Sequence, residues 1–524
     1  MWRAQPVRTA VIGTALVVFL VSAVVPVVYL LVTALTGPAP AYKTVLLDVR
    51  QLGLLYNTTL LGVGAAVFAT AIGVPLGIAL ARVSLHRKSL VRLALSAPAL
   101  LPPYVVGLAW VYLGSSRGIV SALTGRNVLS DWTYGPSGAI LVLGLVFYPL
   151  SMLSTEVAMR RIDGRLEEAA LIVAPPSRVL WRVTLPLAAP GILAAALVIF
   201  VLAVSEFGVP GLLRVRVYTT EVFTAFASLF DFARATLLAL PLLALSSVVA
   251  GIAVLLVGEP LATMRRSTGA VPLVFDAWRR IARIVLVAVV VVALGLPIAI
   301  LLREALGARS VSAVVGGSGR AILNSLVLSS AGATVVVAAC IWLGYARVRA
   351  GRRLGQVADV ILVVLFAVPS TIVGIGLIGV WNRPGLLGAV YATDAMFLLA
   401  YLARFLPIAT LIVAAGTRHV PLSHEEAAAV SGAGWPRTMA RIVLPQIRLG
   451  IAAAWVITFV LAFGELGVSI LVAPPGESTL PIRIYTIIAN TPPSTVASLA
   501  LLQGLVIVAP LTVFAAAASR REGR

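Results

Sequence analysis

Charge is scarce in this chain. Only 11% of its 524 residues are Asp, Glu, Lys or Arg, against roughly a quarter in a soluble protein. Lysine is almost missing: Lys43 follows Tyr42 and Lys88 follows Arg87. A phosphate-cradling loop needs Gly-Lys followed by Ser or Thr, so the chain cannot itself be an ATPase. Cys340 is the single cysteine, which excludes a disulfide within the chain and reads as packing. His86, His419 and His424 are scattered without metal-ligand spacing, and no metal site is assigned. What remains is apolar, 60% of residues with a mean hydropathy of +1.06. A water-soluble fold of this length cannot hide so much apolar surface, so the solvent is a bilayer.

Twelve apolar stretches, each long enough to cross roughly 30 Å of hydrocarbon at 1.5 Å per residue, are read at 10–34, 57–81, 93–113, 136–156, 191–213, 236–257, 284–302, 324–346, 358–381, 391–414, 450–472 and 495–517. Arg3 and Arg8 precede the first stretch in the manner of a secretory leader. Its apolar run of about 25 residues exceeds a signal core, so it is counted as a span. The class is an all-α integral membrane protein.

A net charge of +21 resembles that of a nucleic-acid binder until its distribution is traced. An even number of spans puts both termini on one side. About 27 of the 40 Lys and Arg residues fall on that side, including the tail Arg520, Arg521 and Arg524, and about twelve on the other. The positive-inside bias places both termini in the cytoplasm of a multi-pass protein of the cell (inner) membrane. The charge then needs no nucleic acid to explain it.

The chain repeats itself in parallel. Asn57 matches Asn324, Pro102 matches Pro369 and Gly107 matches Gly374 at an offset of 267; Glu168 matches Glu426 at 258, and Pro186 matches Pro445 at 259. One shorter outer loop, 382–390 against 114–135, accounts for the drift. The expected organisation is a first six-span repeat over 1–258, a cytoplasmic linker over 259–283 and a second six-span repeat over 284–524. Two copies in the same orientation suit a pathway between halves.

The two longest cytoplasmic connections carry the most information. They read EEAALIVAPPSRVLWRVTLPLAAPGI from Glu167 and EEAAAVSGAGWPRTMARIVLPQIRLGI from Glu425. Each is expected to start as a helix, break at Gly or Pro, resume as a short basic helix and stop at Leu-Pro before the next span. Glu-Ala-Ala is common helix filler when met once. Here it recurs at the same place in both repeats, with Leu-Pro 18 or 19 residues on.

On these residues the chain resembles the fused permease subunits of bacterial ATP-binding-cassette importers, of the iron(III) and thiamine type. Their loop has the pattern E-A-A, three residues, G, then L-P. Glu426, Ala427, Ala428, Gly432 and Pro445 match it; Glu168, Ala169, Ala170 and Pro186 match it too, with Ala174 in place of the glycine, where Pro175 and Pro176 supply a break. The resemblance covers nearly the whole chain and implies a type I importer permease fold, MetI-like, of twelve helices in two parallel repeats. It implies that these residues, in the loops 167–192 and 425–451, couple the chain to two copies of a cytoplasmic ABC ATPase. It also implies an extracytoplasmic solute-binding protein as partner, ATP and Mg used only by the partner subunits, and no cofactor bound by this chain.

Three ionisable residues lie inside apolar stretches: Glu206 in SEFGVP, Glu465 in GELGVS and Arg404 in YLARFLP. Intramembrane acids mark pathways by default, so all three are assigned to translocation; a structural role, protonated or paired, is the competing reading. Arg404 is a candidate partner for Glu465, since Val146 holds its place in the first repeat. Pro102, Pro103, Pro149, Pro369 and Pro407 fall mid-stretch, as hinges or as ordinary membrane-helix prolines.

The leading expectation is a permease, not an enzyme, passing a solute delivered by the binding protein, with iron(III) the first cargo and thiamine, polyamine or phosphonate the alternatives. The competing class is a twelve-span carrier driven by an ion gradient through Glu206 or Glu465. Such carriers concentrate their long basic loop between halves, whereas here each half has its own.

Overall fold

The computed structural model describes residues 6–36, 48–83, 87–257, 276–307 and 311–522. Regular structure among them is helical throughout. Eleven helices are long and apolar enough to span a membrane, and a bent pair makes twelve. Spans 1 to 6 are Pro6–Thr36, Val49–Arg82, Pro103–Thr124, Pro136–Arg160, Pro176–Ser205 and Phe232–Leu256. Spans 7 to 12 are Arg280–Ala305, Gly316–Arg349, the pair Arg352–Ala367 and Ser370–Trp381, then Ala395–Thr417, Trp435–Gly464 and Pro493–Phe514.

Most of the linker read over 259–283 lies outside the described residues; its last part is already helical, in Asp276–Val290. His86 and Lys43 also lie outside them.

Close packing follows from small residues. Span 2 meets span 4 at Gly73 and Gly77, where a Cβ would come within 2.6 Å of the carbonyl oxygens of Tyr148 and Met152. Backbones approach this closely only where side chains are absent. In the second repeat Cys340 and Gly344 hold these positions, and Cys340 is fully buried, in keeping with a packing role.

The repeats are not two separate bundles. Span 1 packs on spans 8 and 10 and on Ser370–Trp381 while still touching span 6 of its own repeat, and span 7 packs on span 2, on Lys88–Ser96 and on Pro103–Gly114 of the first repeat as well as on span 12 of its own. Each half is thus clasped by the other's first helix. Nothing in hydropathy or offset could have announced this exchange, because periodicity reports burial and not the identity of the neighbour.

Three expectations are corrected. The stretches 93–113 and 358–381 are not single helices. Lys88–Ser96 runs into a 3-10 turn at Ala97–Leu100 before a new helix starts at Pro103, and the second-repeat pair bends by 95°. Pro102 and Pro369 occupy the N-caps after each break, since proline starts a helix easily and continues one poorly. The stretches 191–213 and 450–472 end early, at Ser205 and Gly464.

The third correction concerns Leu-Pro, which does not stop the helix. Each Leu-Pro follows a five-residue π turn, Leu180–Thr184 or Met439–Val443, and the helix continues to Ser205 or Gly464. Leu185 and Leu444 donate to the carbonyls of Leu180 and Met439, five residues back. A proline ring clashes with the carbonyl four residues earlier, and one wide turn moves that carbonyl aside. The same device precedes Pro26 and Pro297 in spans 1 and 7.

Candidate functional site: two anchored loops and a junction of helix breaks

At the end of the molecule bearing the Glu-Ala-Ala segments, both loops fold as helix, break and helix. Gly164–Val173 is followed by Pro176–Val179, and Leu422–Val430 by Trp435–Thr438. The breaks differ in backbone. Ala174 is extended, at φ −146° and ψ 149°, which any residue adopts. Gly432 has φ +77° with open space around it, so glycine is required there by conformation and not by room.

Each loop is anchored by the first glutamate of its Glu-Glu pair, not the second. Glu167 is fully buried and accepts from Arg82 Nη2 at 2.6 Å and from Thr184 Oγ1 at 2.8 Å. Glu425, 3% exposed, accepts from Arg349 Nε at 2.9 Å and from the Tyr345 hydroxyl at 2.8 Å. Arg82 and Arg349, which end spans 2 and 8, also donate to the carbonyls of Met159 and Val420. Glu168 and Glu426 point outward and are exposed, as are Ala169 and Ala427, while Ala428 is buried. Beyond them Ile172 is 84% exposed and Val430, its repeat mate, 83%. Each loop thus holds an exposed apolar residue out on a buried ionic anchor.

Sequence reasoning missed these anchors. Arg82 matches Arg349 at the offset of 267 that pairs Asn57 with Asn324, and Glu167 matches Glu425 at 258, so the signal was present.

Beside each anchor lies a second ionic cluster, one carboxylate between two arginines, with the carboxylate on a different helix in each half. In the first, Glu156 accepts from Arg92 Nε at 2.9 Å and from Arg160 Nη2 at 2.6 Å. In the second, Asp359, in the place of Arg92, accepts from Arg347 Nε at 2.6 Å, with Arg418 at 3.5 Å. Outside the spans, burial and then the neighbouring Arg160 hold the Lys88 ammonium below its usual value. Burial and then Arg347 do the same to the Arg418 guanidinium, against Asp359.

The three intramembrane charges converge where the halves meet. Spans 5 and 11 end at Glu206 and Glu465, and each carboxylate turns back to accept a backbone N–H of the following turn, Gly208 and Val468, both at 3.0 Å. This satisfies a donor that the helix break would leave orphaned. The end of span 5 meets the break of span 9, Ser205 Oγ donating to the Ala367 carbonyl at 3.4 Å. The end of span 11 meets the break of span 3, so closely that a Cβ on Gly464 would lie 3.0 Å from Pro102 Cγ. Tyr104 closes the junction through a chain of hydrogen bonds, its hydroxyl donating to Gln503 Oε1 at 2.5 Å and Gln503 Nε2 to the Phe463 carbonyl at 3.1 Å. Glu206 and Glu465 are each half-buried, and the turns that follow them touch: a Cβ on Gly208 would lie 3.2 Å from Leu466 Cδ2.

Arg404 does not make the direct pair with Glu465 that its position invited. Its Nη1 donates to the carbonyls of Phe366 at 2.8 Å and Val368 at 2.6 Å, capping the last turn before the break of span 9. A guanidinium serves there because the orphaned carbonyls at a helix end need donors. The first repeat, with Val146 at that place, uses Tyr148 instead, whose hydroxyl donates to the Leu95 carbonyl at 2.7 Å.

A helical bundle built twice, with an outward-held loop in each copy, defines a multi-span membrane protein of two repeated units. The chain belongs to the family of binding-protein-dependent transport system inner membrane components, which matches it twice, at residues 73–260 and 336–521. It is 25% identical over 451 residues to the Fe(3+)-transport system permease protein FbpB 2 of Haemophilus influenzae, covering 83% of this chain and 84% of that one. The molybdenum transport system permease protein ModB of Escherichia coli is 29% identical over 175 residues, 32% of this chain and 70% of that protein. ModB of Mycobacterium tuberculosis is 30% identical over 145 residues, 28% of this chain and 54% of that protein. The double family match agrees with the repeat read from the sequence.

Proposed function

We propose that this chain is the membrane core of an ATP-binding-cassette importer that passes iron(III) between its two halves. Two cytoplasmic ATPase subunits dock on the tips of the anchored loops, one per repeat, and an extracytoplasmic binding protein delivers the cargo to the opposite face. The observation that carries the reading is the pair of buried anchors, Arg82 with Glu167 and Arg349 with Glu425. Each ties its loop rigidly to a span, so that a push on Ile172 or Val430 moves a helix and not merely a loop. Membership of a binding-protein-dependent family supports it.

The mechanism follows from where the breaks lie. Spans 5 and 11 are single rods, from the loops Glu206 and Glu465 cap at one end to the docking helices at the other. Closing of the ATPase pair draws the rods together, and their far ends bear on the breaks of spans 9 and 3. The junction of Ser205, Ala367, Gly464 and Pro102 is then the gate, and Glu206 and Glu465 are the carboxylates a cation meets as it opens. The likeness over most of the chain to a permease named for Fe(3+) supports iron as the cargo.

The test is reconstitution of the chain with its ATPase and binding protein in vesicles. Ile172→Glu with Val430→Glu is expected to abolish binding-protein-stimulated ATP hydrolysis while the chain still inserts and folds. Unchanged stimulation in the double variant would falsify the docking assignment. For orientation, Ile172→Cys is expected to resist membrane-impermeant thiol reagents in intact cells; labelling there would reverse the topology.

A further inference from the structure

We propose that the first repeat carries a site for one anionic phospholipid, its acyl chains lying in an apolar groove between spans 2, 5 and 7 and its phosphate on an arginine rim. The groove encloses about 1010 Å³, and Val74, Ile78, Trp181, Leu193 and Val285 are among its walls.

The argument starts from a difference between the repeats. In the second, the corresponding space is filled by protein. Trp342, Tyr345 and Trp435 pack there, with ring centroids 5.6 Å apart between the tryptophans and 6.2 Å between Tyr345 and Trp435. Val11 and Ile12 of span 1 join the same cluster, and the Arg8 guanidinium lies 5.9 Å over the Tyr345 ring. At the repeat offsets the first half has Pro75, Ile78 and Pro176 instead. All three rings are missing, and span 7 leaves the volume open, contributing Ile281, Ala282 and Val285 as a far wall.

Such a space does not suit water, which needs several polar partners, and left bare it forfeits the dispersion contacts of its walls. An acyl chain supplies them. The headgroup is specified by charge: Arg182 follows the wall residue Trp181, and Arg280 and Arg283 flank the wall residues Ile281 and Ala282, all three arginines exposed. Three exposed cations next in sequence to the walls of an apolar groove complement an anionic headgroup in the leaflet on the loop side. Because Leu185 and Pro186 also line the groove, its occupant touches the rod of span 5. The inference needs the membrane setting but not the coupling role proposed above, and it is tested without partner subunits.

The full-length chain in phosphatidylcholine nanodiscs is titrated with acyl-brominated phosphatidylglycerol. Trp181 fluorescence reports occupancy, with Trp181→Phe as blank, and native mass spectrometry counts bound lipid. One phosphatidylglycerol per chain is expected, with phosphatidylcholine held at least about tenfold more weakly. Filling the groove by Ile78→Tyr with Ala189→Leu, or neutralising its rim by Arg182→Gln, Arg280→Gln and Arg283→Gln together, is expected to weaken retention by at least about tenfold. Retention unchanged in the rim variant, equal retention of phosphatidylcholine, or a co-purifying peptide in place of lipid overturns the site. The rim variant alters only exposed side chains, so it decides the matter even where the filled variant does not fold.

Discussion

Arg82 and Glu167 meet at 2.6 Å with both side chains shut away from solvent, and Arg349 and Glu425 repeat the pair in the second half. Breaking such a pair from one side strands a buried charge, at a cost of about 3–5 kcal/mol. Glu167→Ala and Glu425→Ala are therefore expected to lower the thermal midpoint of the purified chain and to uncouple ATP hydrolysis from uptake. Glu168→Ala and Glu426→Ala, at exposed positions, are expected to change stability by less than about 0.5 kcal/mol and to act on ATPase docking alone. Thermal unfolding by tryptophan fluorescence separates the two sets; equal midpoints for all four would remove the anchor.

The breaks in the two loops make opposite demands on their residue. Gly432 at φ +77° is expected to resist replacement, with Gly432→Ala costing about 1–2 kcal/mol locally and depressing stimulated ATP hydrolysis through the second loop. Ala174→Gly is expected to be close to silent, because Ala174 is already extended. ATPase assays on reconstituted transporter check both. A silent Gly432→Ala beside a damaging Ala174→Gly would overturn the assignment of the left-handed break to the second loop.

Glu206 and Glu465 each accept one backbone N–H, and a glutamine oxygen can accept the same bond. Glu206→Gln and Glu465→Gln should therefore leave the fold intact and remove only charge. A unit positive charge roughly 10 Å away at an effective dielectric near 20 loses on the order of 1–2 kcal/mol per carboxylate, and a trivalent ion up to about three times that, so iron(III) uptake is expected to fall by at least about tenfold in each. Uptake of radiolabelled iron into vesicles measures it. Faster uptake of an oxyanion such as molybdate by the variants would point to an anionic cargo instead.

Arg404 holds two carbonyls that have no other described donor, Phe366 and Val368. Arg404→Met is expected to destabilise the second repeat by about 2–4 kcal/mol, since two buried acceptors lose their partner. Val146→Arg in the first repeat restores nothing, because Tyr148 already serves that break. Denaturation midpoints check it. Full stability of Arg404→Met with loss of uptake would return Arg404 to a pathway role alone.

How far this was legible differs from residue to residue. Span number, the duplication and the positions of both loops came through, because a membrane helix must be about 20 apolar residues long and a duplication leaves offsets. Glu206, Glu465 and Arg404 read from the sequence as pathway residues, but neither their meeting between the halves nor their partners were legible there: that Arg404 caps a helix end depends on the 95° bend of span 9, which hydropathy averages away. The exchange of spans 1 and 7 between halves left no local mark at all. The choice of Glu425 over Glu426 as anchor turns on which face of one short helix meets Arg349, and adjacent residues are about 100° apart around a helix.

The π turn before each Leu-Pro can be tested as a consequence of the proline and not of packing. Removing one residue from Met439–Val443 should return that turn to α-helical spacing without rotating either flank, and Ala440 is exposed there. With Pro445 present, the restored turn would press its ring into the carbonyl of Arg441. Deletion of Ala440 alone is thus expected to cost about 3 kcal/mol. Combined with Pro445→Ala the clash disappears and the helix regains a donor, so the double change is expected to recover most of that stability. If the rod must yield at this point when the loop is pushed, the straightened variant will be stable yet poorly coupled, with basal ATP hydrolysis intact and uptake reduced. Equal destabilisation with and without Pro445 would show that tertiary packing, not the proline, keeps the turn wide.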